Sequence, residues 1–379
     1  MFWKKQENKT ETKGLVALSG VLDARWEATS PARLVEAGFR QNPVSYRCIR
    51  MVAETAASVP IRPACDLCES DLAHVRLLLD RPAAGETGQS LREAIFGDLQ
   101  VSGNGFLEMV RGVNGDVAGV RRVPPGAVSP LEKSDGFSIR TRSGSRIVRP
   151  DASGWSPLLH LKALDPSSQA LALSPLQAAS RAVEIHNAGS QWTKALIDNA
   201  ARPSGALIYG RDGAHLTPDQ FQRLKEQLEE AHSGARHAGR PMLLEGGLDW
   251  KPMGLTPTDM DFIQARREAA REIALAFGVP PMLLGIPGDN TYSNYREANL
   301  AFWRQTILPL VQRTVCALED WLSGVTRDPV KLRVDLDGVP ALAPEREGVW
   351  KRLNAADFLS EDEKREIAGF RPREARNAD

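Results

Sequence analysis

Residues 258–322 read TDMDFIQARREAAREIALAFGVPPMLLGIPGDNTYSNYREANLAFWRQTILPLVQRTVCALEDWL, and the order of apolar and helix-breaking residues in this stretch decides the architecture. Thr258 is placed to cap a helix with Asp261 in its first turn, and Phe262, Ala265, Ala269, Ile273 and Phe277 then recur at helical spacing on one side. Gly278 ends that helix, and Pro280 and Pro281 forbid its continuation. The loop MLLGIPGDNTYSN follows, with two glycines, a proline and a cluster of short polar residues. Asn294 with Glu297 makes a start resembling a capping box. From there Leu300, Trp303, Ile307, Leu310, Val311, Val315, Leu318 and Leu322 sustain an apolar stripe over roughly thirty residues, about 45 Å of helix. A kink is expected at Pro309. A helix, a tight polar loop and a long kinked helix describe framework rather than a catalytic pocket.

The chain of 379 residues is long enough for two or three domains, and its 42% apolar and 25% charged residues place it among ordinary globular proteins. No run of eighteen apolar residues suggests a membrane span, and MFWKKQENKTETKG lacks the apolar run of a secretory signal, so the chain is expected to stay where it is made. Lysine plus arginine equals aspartate plus glutamate, 48 of each, so no overall basic surplus argues for tight nucleic-acid binding. A neutral surface equally suits one that nucleic acid must pass without sticking.

Chemistry-bearing motifs are sparse. Cys65 and Cys68 form a CxxC with His74 nearby, but Cys48 and Cys316 supply no second pair at zinc spacing, so reduced thiols in a turn are expected and no metal or cofactor is assigned. No GxxxxGK[ST] phosphate loop, HExxH helix or GxSxG elbow occurs. Gly103-Asn104-Gly105 begins like a dinucleotide fingerprint, but it lacks the third glycine and the strand-to-helix setting, so it reads as a turn. His186, in mid-helix, reads as a packing histidine, His232 and His237 as solvated, and His160 as either. Arg266, Arg267, Glu268, Arg271 and Glu272 read as a solvated helix face.

Working outward, residues 1–25 are polar and mixed. From Asn42 a helix is expected to bury Val44, Cys48, Met51 or Val52, Thr55 and Val59, and to stop at Pro60. A second helix is expected near Asp71–Leu79, and a third from Ser90 with Glu93 as its capping-box partner. The period then changes. Short strands flank Asn114-Gly115 and Ser143-Gly144, and WSPLLHLKALDP adds one more, giving a small antiparallel sheet.

Ser174, Pro175 and Gln177 open a helix to about Ala200 that is rich in small residues, including Ala178, Ala179, Ala182, Ala188, Gly189, Ser190 and Ala195. Such a face admits a close neighbour, in this chain or in another copy. Between Arg202 and Thr258 lies a compact α/β insert. It comprises the strand SGALIYG, a helix carrying Phe221, Leu224 and Leu228, and a hairpin through Trp250. After the long helix, VKLRVDLDGVPAL reads as a strand. Helices are expected at about Pro344–Leu353 and Ser360–Ala368, the latter with a Ser360/Glu363 capping box.

The ordered set GNGFLEMVRGVNGDVAGVRRVPP, LLHLKALDP with LSPLQAASRAVEIH, ARPSGALI, GGLDWKPM and, above all, FGVPPMLLG followed by YSNYREANLAFWRQTILPL resembles the portal proteins of tailed bacteriophages of the HK97 type. The likeness spans about residues 35–375, with Ser360, Asp362, Glu363, Arg365 and Gly369 approximating the family's C-terminal pattern. The resemblance implies an α+β portal fold and no enzymatic activity. Its parts would be a flexible N-terminus 1–25, a wing 26–173 continued by 279–340, stem helices 174–200 and 258–278, a clip 201–257 and a short helical crown 341–379.

It further implies a homo-oligomeric ring, usually of twelve subunits, at one capsid vertex, through which double-stranded DNA is packaged and ejected. Expected partners are further copies of the chain, non-specifically bound DNA, terminase, a head–tail adaptor and the major capsid protein, with no membrane. The expected setting is the bacterial cytoplasm during assembly, then the particle of a small phage, prophage or gene transfer agent. The tunnel loop would offer Asp289, Asn290, Thr291, Tyr292, Ser293, Asn294 and Arg296 to the phosphate backbone. The stem would pack through Ala178, Ala182, Gly189, Ala269 and Ile273, and the clip would dock partners through Phe221, Leu224, Leu228 and Trp250. The second reading is a capsid-associated scaffold or adaptor without a channel. A nuclease ranks third, since no carboxylate cluster for metal is evident.

Overall fold

The computed structural model describes residues 31–63, 68–114, 116–131, 135–168, 170–198, 205–209, 219, 222–223, 248–252, 262–286 and 292–368. A short helix α1 (Pro31–Leu34) widens into a π-turn over Val35–Arg40 and leads to α2 (Pro43–Ser58). Asn42 caps α2, its side-chain oxygen accepting the Val44 and Ser45 amides at 3.0 Å, with Pro43 at the first helical position. The buried face is Ser45, Cys48, Ile49, Val52, Ala53, Ala56 and Ala57. It takes Val52 rather than Met51 and leaves Thr55 half-buried, because the apolar seam follows the alanines.

Strand β1 (Ile61–Pro63) is followed by α3 (Glu69–Asp80) and α4 (Gly88–Ser102). Thr87, rather than Ser90, caps α4, accepting the Ser90 amide at 3.2 Å. Two hydroxyl residues compete three positions apart, and the earlier one adds a turn that packs Gly88 against the Leu79 carbonyl. Gly103 closes α4 in the left-handed region at φ 73°, where a Cβ would collide with the Ala172–Leu173 backbone. The Gly103-Asn104-Gly105 run is thus a helix-to-strand turn.

Strands β2 (Asn104–Arg111), β3 (Val117–Val123), β4 (Val128–Pro130), β5 (Phe137–Thr141), β6 (Gly144–Val148) and β7 (Leu158–Lys162) come next. They form two antiparallel three-stranded sheets, ordered β3-β2-β7 and β4-β5-β6, where the sequence suggested one. The period-2 alternation of β2 explains this, since it serves two cores at once. Leu107 and Met109, with Val120 and Leu161, belong to the large helical core, whereas Phe106, with Val123, Leu158, Val128, Ile139 and Val148, forms the smaller core between the sheets. Buried Glu108 takes Arg121 of β3 at 2.8 Å and also pairs with Arg146 of β6, joining the two sheets by charge.

After α5 (Pro175–Ala178) and α6 (Ser180–Asp198) the chain enters β8 (Gly205–Tyr209), which pairs antiparallel with β9 (Leu248–Pro252) and leads back into α7 (Phe262–Ala276). Since β8 follows α6 and β9 precedes α7, the chain runs out along α6 and returns along α7, and the two helices pack together. The hairpin expected within 241–253 falls largely outside the described residues; the partner of Leu248–Pro252 is β8.

The long helix is composite. It consists of α8 (Tyr292–Phe302), a π-turn over Trp303–Ile307 and α9 (Leu308–Ser323), followed by β10 (Leu332–Val334), α10 (Ala343–Asn354) and α11 (Glu361–Ile367). Proline has no amide to donate and crowds the carbonyl four residues back, and just ahead of Pro309 the helix widens, with the Leu308 amide reaching the Trp303 carbonyl. Of the expected stripe, Trp303, Ile307, Leu310, Val311, Val315, Leu318 and Leu322 are buried and Leu300 is half-buried. Trp155 and Trp321 lock this helix to the β6–β7 connection, each indole N–H donating to a backbone carbonyl, of Trp321 at 2.9 Å and of Ser156 at 2.8 Å. Strand β10 pairs with β1, Ile61 opposite Val334, so a ladder closes between the start and the end of the core. The Ser360/Glu363 capping box on α11 is complete.

Candidate functional site

The polar segment between α7 and α8 starts from a fixed joint. At its start Gly278, with φ 64°, ends α7, its amide bonding the Leu275 carbonyl at 3.0 Å and the Val279 amide the Ala274 carbonyl at 2.9 Å. Phe277 and Val279 are buried on either side. Pro281–Leu284 then makes a 3₁₀ turn closed by Gly285 at φ 71°. The Thr306 hydroxyl, within the π-turn, donates to the Gly278 carbonyl at 2.6 Å and so ties the end of α7 to the long helix.

At the far end α8 begins at Tyr292, two residues before the expected Asn294. Asn294 therefore lies in the first turn, and the proposed Asn294/Glu297 cap does not form there. The cap signal was degenerate, since Asn290 and Thr291 just ahead are equally cap-competent types. Of the channel candidates, Asp289, Asn290 and Thr291 lie outside the described residues, Tyr292 and Ser293 open α8, and Asn294 and Arg296 are exposed on it beside Tyr295 and Glu297. Against the base of the segment lies an open groove of about 380 Å³ between α2 and α8, with Met51, Glu54, Thr55, Leu283, Tyr295 and Asn299 in its walls. On the same side of α2, Arg50 donates to the Tyr46 hydroxyl at 3.0 Å and pairs with Glu54.

The α6/α7 pair is built on small residues. Ala182 and Gly189 of α6 and Ala269 and Ile273 of α7 are buried. Ala178 is exposed and Ala179 takes the inward position, because the inner face is phased on Leu176, Ala179, Ala182, Val183 and His186. Ala265, in the first turns of α7, is also exposed. A Cβ on Gly189 would stand 3.7 Å from Arg266, an ordinary contact, so an alanine fits there within this chain. Thr258 and Asp261 fall outside the described residues, as do Phe221, Leu224 and Leu228; Trp250 lies on β9.

Asn42 fastens the α6/α7 pair to α2. Besides capping α2, its amide nitrogen lies 3.2 Å from His186 Nδ1 and donates to Asn187 Oδ1 at 2.9 Å, while the Asn187 side chain donates to the Ala37 carbonyl at 2.9 Å. Burial, helped by Arg266, lowers the His186 pKa, consistent with a neutral ring accepting at Nδ1. His160 is likewise a packing residue. It stacks on Phe106 with centroids 4.5 Å apart, its Nε2 is 2.9 Å from Asn104 Oδ1, and burial, with Lys162 adding, lowers its pKa to about 4. Burial pushes the Cys48 thiol up to about 12, which makes it inert. Among the described residues no group of three or more His, Cys, Asp and Glu side chains is placed to hold a metal, and no helix is long and apolar enough to cross a membrane.

The residues that sequence reasoning missed are those whose partners are remote in the chain. Asn42 was legible as a helix start but not as the anchor of His186. Arg122 makes a bidentate pair with Asp98 at 2.6 Å, and burial raises the Asp98 pKa despite that pair. The Thr306 bond to Gly278 carried no local signal.

A family model described as "Phage portal protein" matches residues 43–369. A protein of Rickettsia bellii (strain RML369-C) is 35% identical over 380 residues, 97% of each chain. The "Portal protein" of Enterobacteria phage HK97 is 26% identical over 309 residues, 78% of this chain and 70% of its own. A chain in the solved structure described as "Neck of native GTA particle computed with C12 symmetry" is 46% identical with a TM-score of 0.69, covering 92% of this chain and 95% of its own.

Proposed function

The chain belongs to the phage portal protein family, and from that membership we propose that it forms the ring at one vertex of a phage or gene-transfer-agent particle through which double-stranded DNA passes. The observation that carries this reading is the 46% identity, across 92% of the chain, to a component of a gene-transfer-agent neck with C12 symmetry. It is a structural protein and not an enzyme.

In this reading the wing comprises 26–173 and 279–340, the stem 174–200 and 258–278, the clip 201–257 and the crown 341–379. The packed α6/α7 pair supports the stem, and the β8/β9 ladder at its far end supports a clip there. Residues 285–294 project inward as the tunnel loop. Asn294 and Arg296, exposed at the start of α8, touch phosphates without reading bases. The clip meets terminase during packaging and the head–tail adaptor afterwards, and the outer wing meets the capsid. The ring itself is passive, a rigid frame whose loop base is fixed by Gly278, Thr306 and the π-turn.

Imaging of the purified, assembled protein tests the proposal. Rings with a central hole, with residues 285–294 at the narrowest point, are expected. An assembly without a hole would favour a scaffold or adaptor, and a loop on the outer rim would remove the tunnel assignment.

A further inference from the structure

Where α3, α4 and α9 meet the sheet β3-β2-β7, the large core contains a cavity of about 40 Å³ walled mostly by apolar side chains, among them Ile95, Phe96 and Trp321. Two polar side chains border it, Arg92 of α4 and Thr314 of α9. One guanidinium nitrogen of Arg92 donates to the Ala57 carbonyl at 3.2 Å, near the end of α2. Its Nε–H is closed off from solvent and has no acceptor among the described residues. Burial lowers the pKa of this guanidinium, with Asp80 opposing, which marks surroundings that solvate the charge poorly. A buried donor without an acceptor is costly, and more so on a charged group.

Thr314 is the chemical complement. It is 4% exposed, and its hydroxyl proton is committed to the Leu310 carbonyl at 2.9 Å, so it has only lone pairs left to offer. At the same wall the Leu79 carbonyl, one of the last four of α3, lies against Gly88 and adds a second acceptor. A molecule between these groups must accept from Arg92 and donate to Thr314. Water does both, whereas a halide only accepts and an apolar gas does neither. The volume agrees, since one water needs about 10–15 Å³ of such space and at least two polar partners. We propose that a single internal water molecule occupies this cavity, accepting a hydrogen bond from Arg92 Nε and donating one to the Thr314 hydroxyl oxygen. It joins α4 to α9, two helices far apart in the chain, through one solvent molecule inside the core. The site is independent of the ring reading.

Structures of the full chain and of its Thr314→Val variant, at a resolution that shows ordered water, test the site. Valine keeps the shape of threonine and removes the acceptor. A density peak within hydrogen-bond distance of both Arg92 Nε and Thr314 Oγ1 is expected in the first structure, and its loss with Arg92 in place is expected in the second. Crystals soaked in bromide or pressurised with xenon carry the competing outcomes. Bromide in the cavity makes it an anion site and xenon makes it a dry void; either result, or no peak at all, overturns the water. In solution, urea unfolding of Arg92→Met, Thr314→Val and the double variant closes a cycle in which the Ala57 bond cancels. Each single substitution already breaks the shared bridge, so a coupling of about twofold or more in the unfolding equilibrium constant is expected. Strictly additive losses overturn the bridge.

Discussion

Asn42 does the work of two residues, and its substitution separates them. Its oxygen caps α2 and its nitrogen serves His186 and Asn187, so Asn42→Ala removes a cap worth about 1 kcal/mol and leaves buried polar atoms unpaired at about 1–3 kcal/mol more. A total loss of about 2–4 kcal/mol is expected in urea unfolding, with Asn42→Asp, which keeps the cap and loses the donor, falling between. An aspartate variant as damaged as the alanine one would refute the split. His160 predicts a pH dependence. Its folded pKa of about 4 lies below the unfolded value of about 6.5, so between the two the unfolded chain holds more protons. The stabilisation is complete above about 6.5 and is lost as pH falls toward about 4; partial exposure limits it to about 1–2 kcal/mol. His160→Gln should therefore cost more stability near about pH 7.5 than near about pH 4.5, and an equal cost at both would dismiss the argument.

The helices themselves were readable from spacing, but their faces and joints were less so. The stripe from Trp303 to Leu322 was correct because 3.6-residue periodicity is a property of one segment. The widening before Pro309 was expected as a kink; the proline was visible, while its accommodation depends on how the preceding turn packs. Gly278 and Thr306 form the joint where the segment between α7 and α8 begins. Gly278→Ala forces a side chain into φ 64° and to 2.6 Å from the Thr306 hydroxyl, and should cost about 2 kcal/mol or more. Adding Thr306→Ser, which removes the methyl at 3.3 Å but keeps the hydroxyl at 2.6 Å, should recover little, because the backbone strain and the closer contact both remain. Full recovery would mean that the methyl contact alone is responsible. Gly189 makes the opposite case. With an ordinary 3.7 Å gap to Arg266, Gly189→Ala should stabilise the isolated subunit by about 0.5–1 kcal/mol, and a loss in thermal melting of the monomer would contradict that.

At the scale of the molecule, the α+β class and the run of helices around an insert were legible from the sequence. The division of the strands into two sheets was not, because it depends on which core each face of β2 meets. The candidate channel residues were legible as a polar cluster, but their direction is a property of the assembled ring. Removing residues 203–256 should leave a folded remainder that no longer binds terminase or adaptor in pull-down; retained binding would move the docking face elsewhere. The ladder between Ile61–Pro63 and Leu332–Val334 also bears on how the protein is made. At ordinary translation speeds, β10 leaves the ribosome on the order of tens of seconds after β1. During that interval α2 can pack against α4, but the side of that core completed in the finished molecule by Ile307 and Val311 stays open. The earliest-made part of the core is thus completed only once the final third of the chain has been translated.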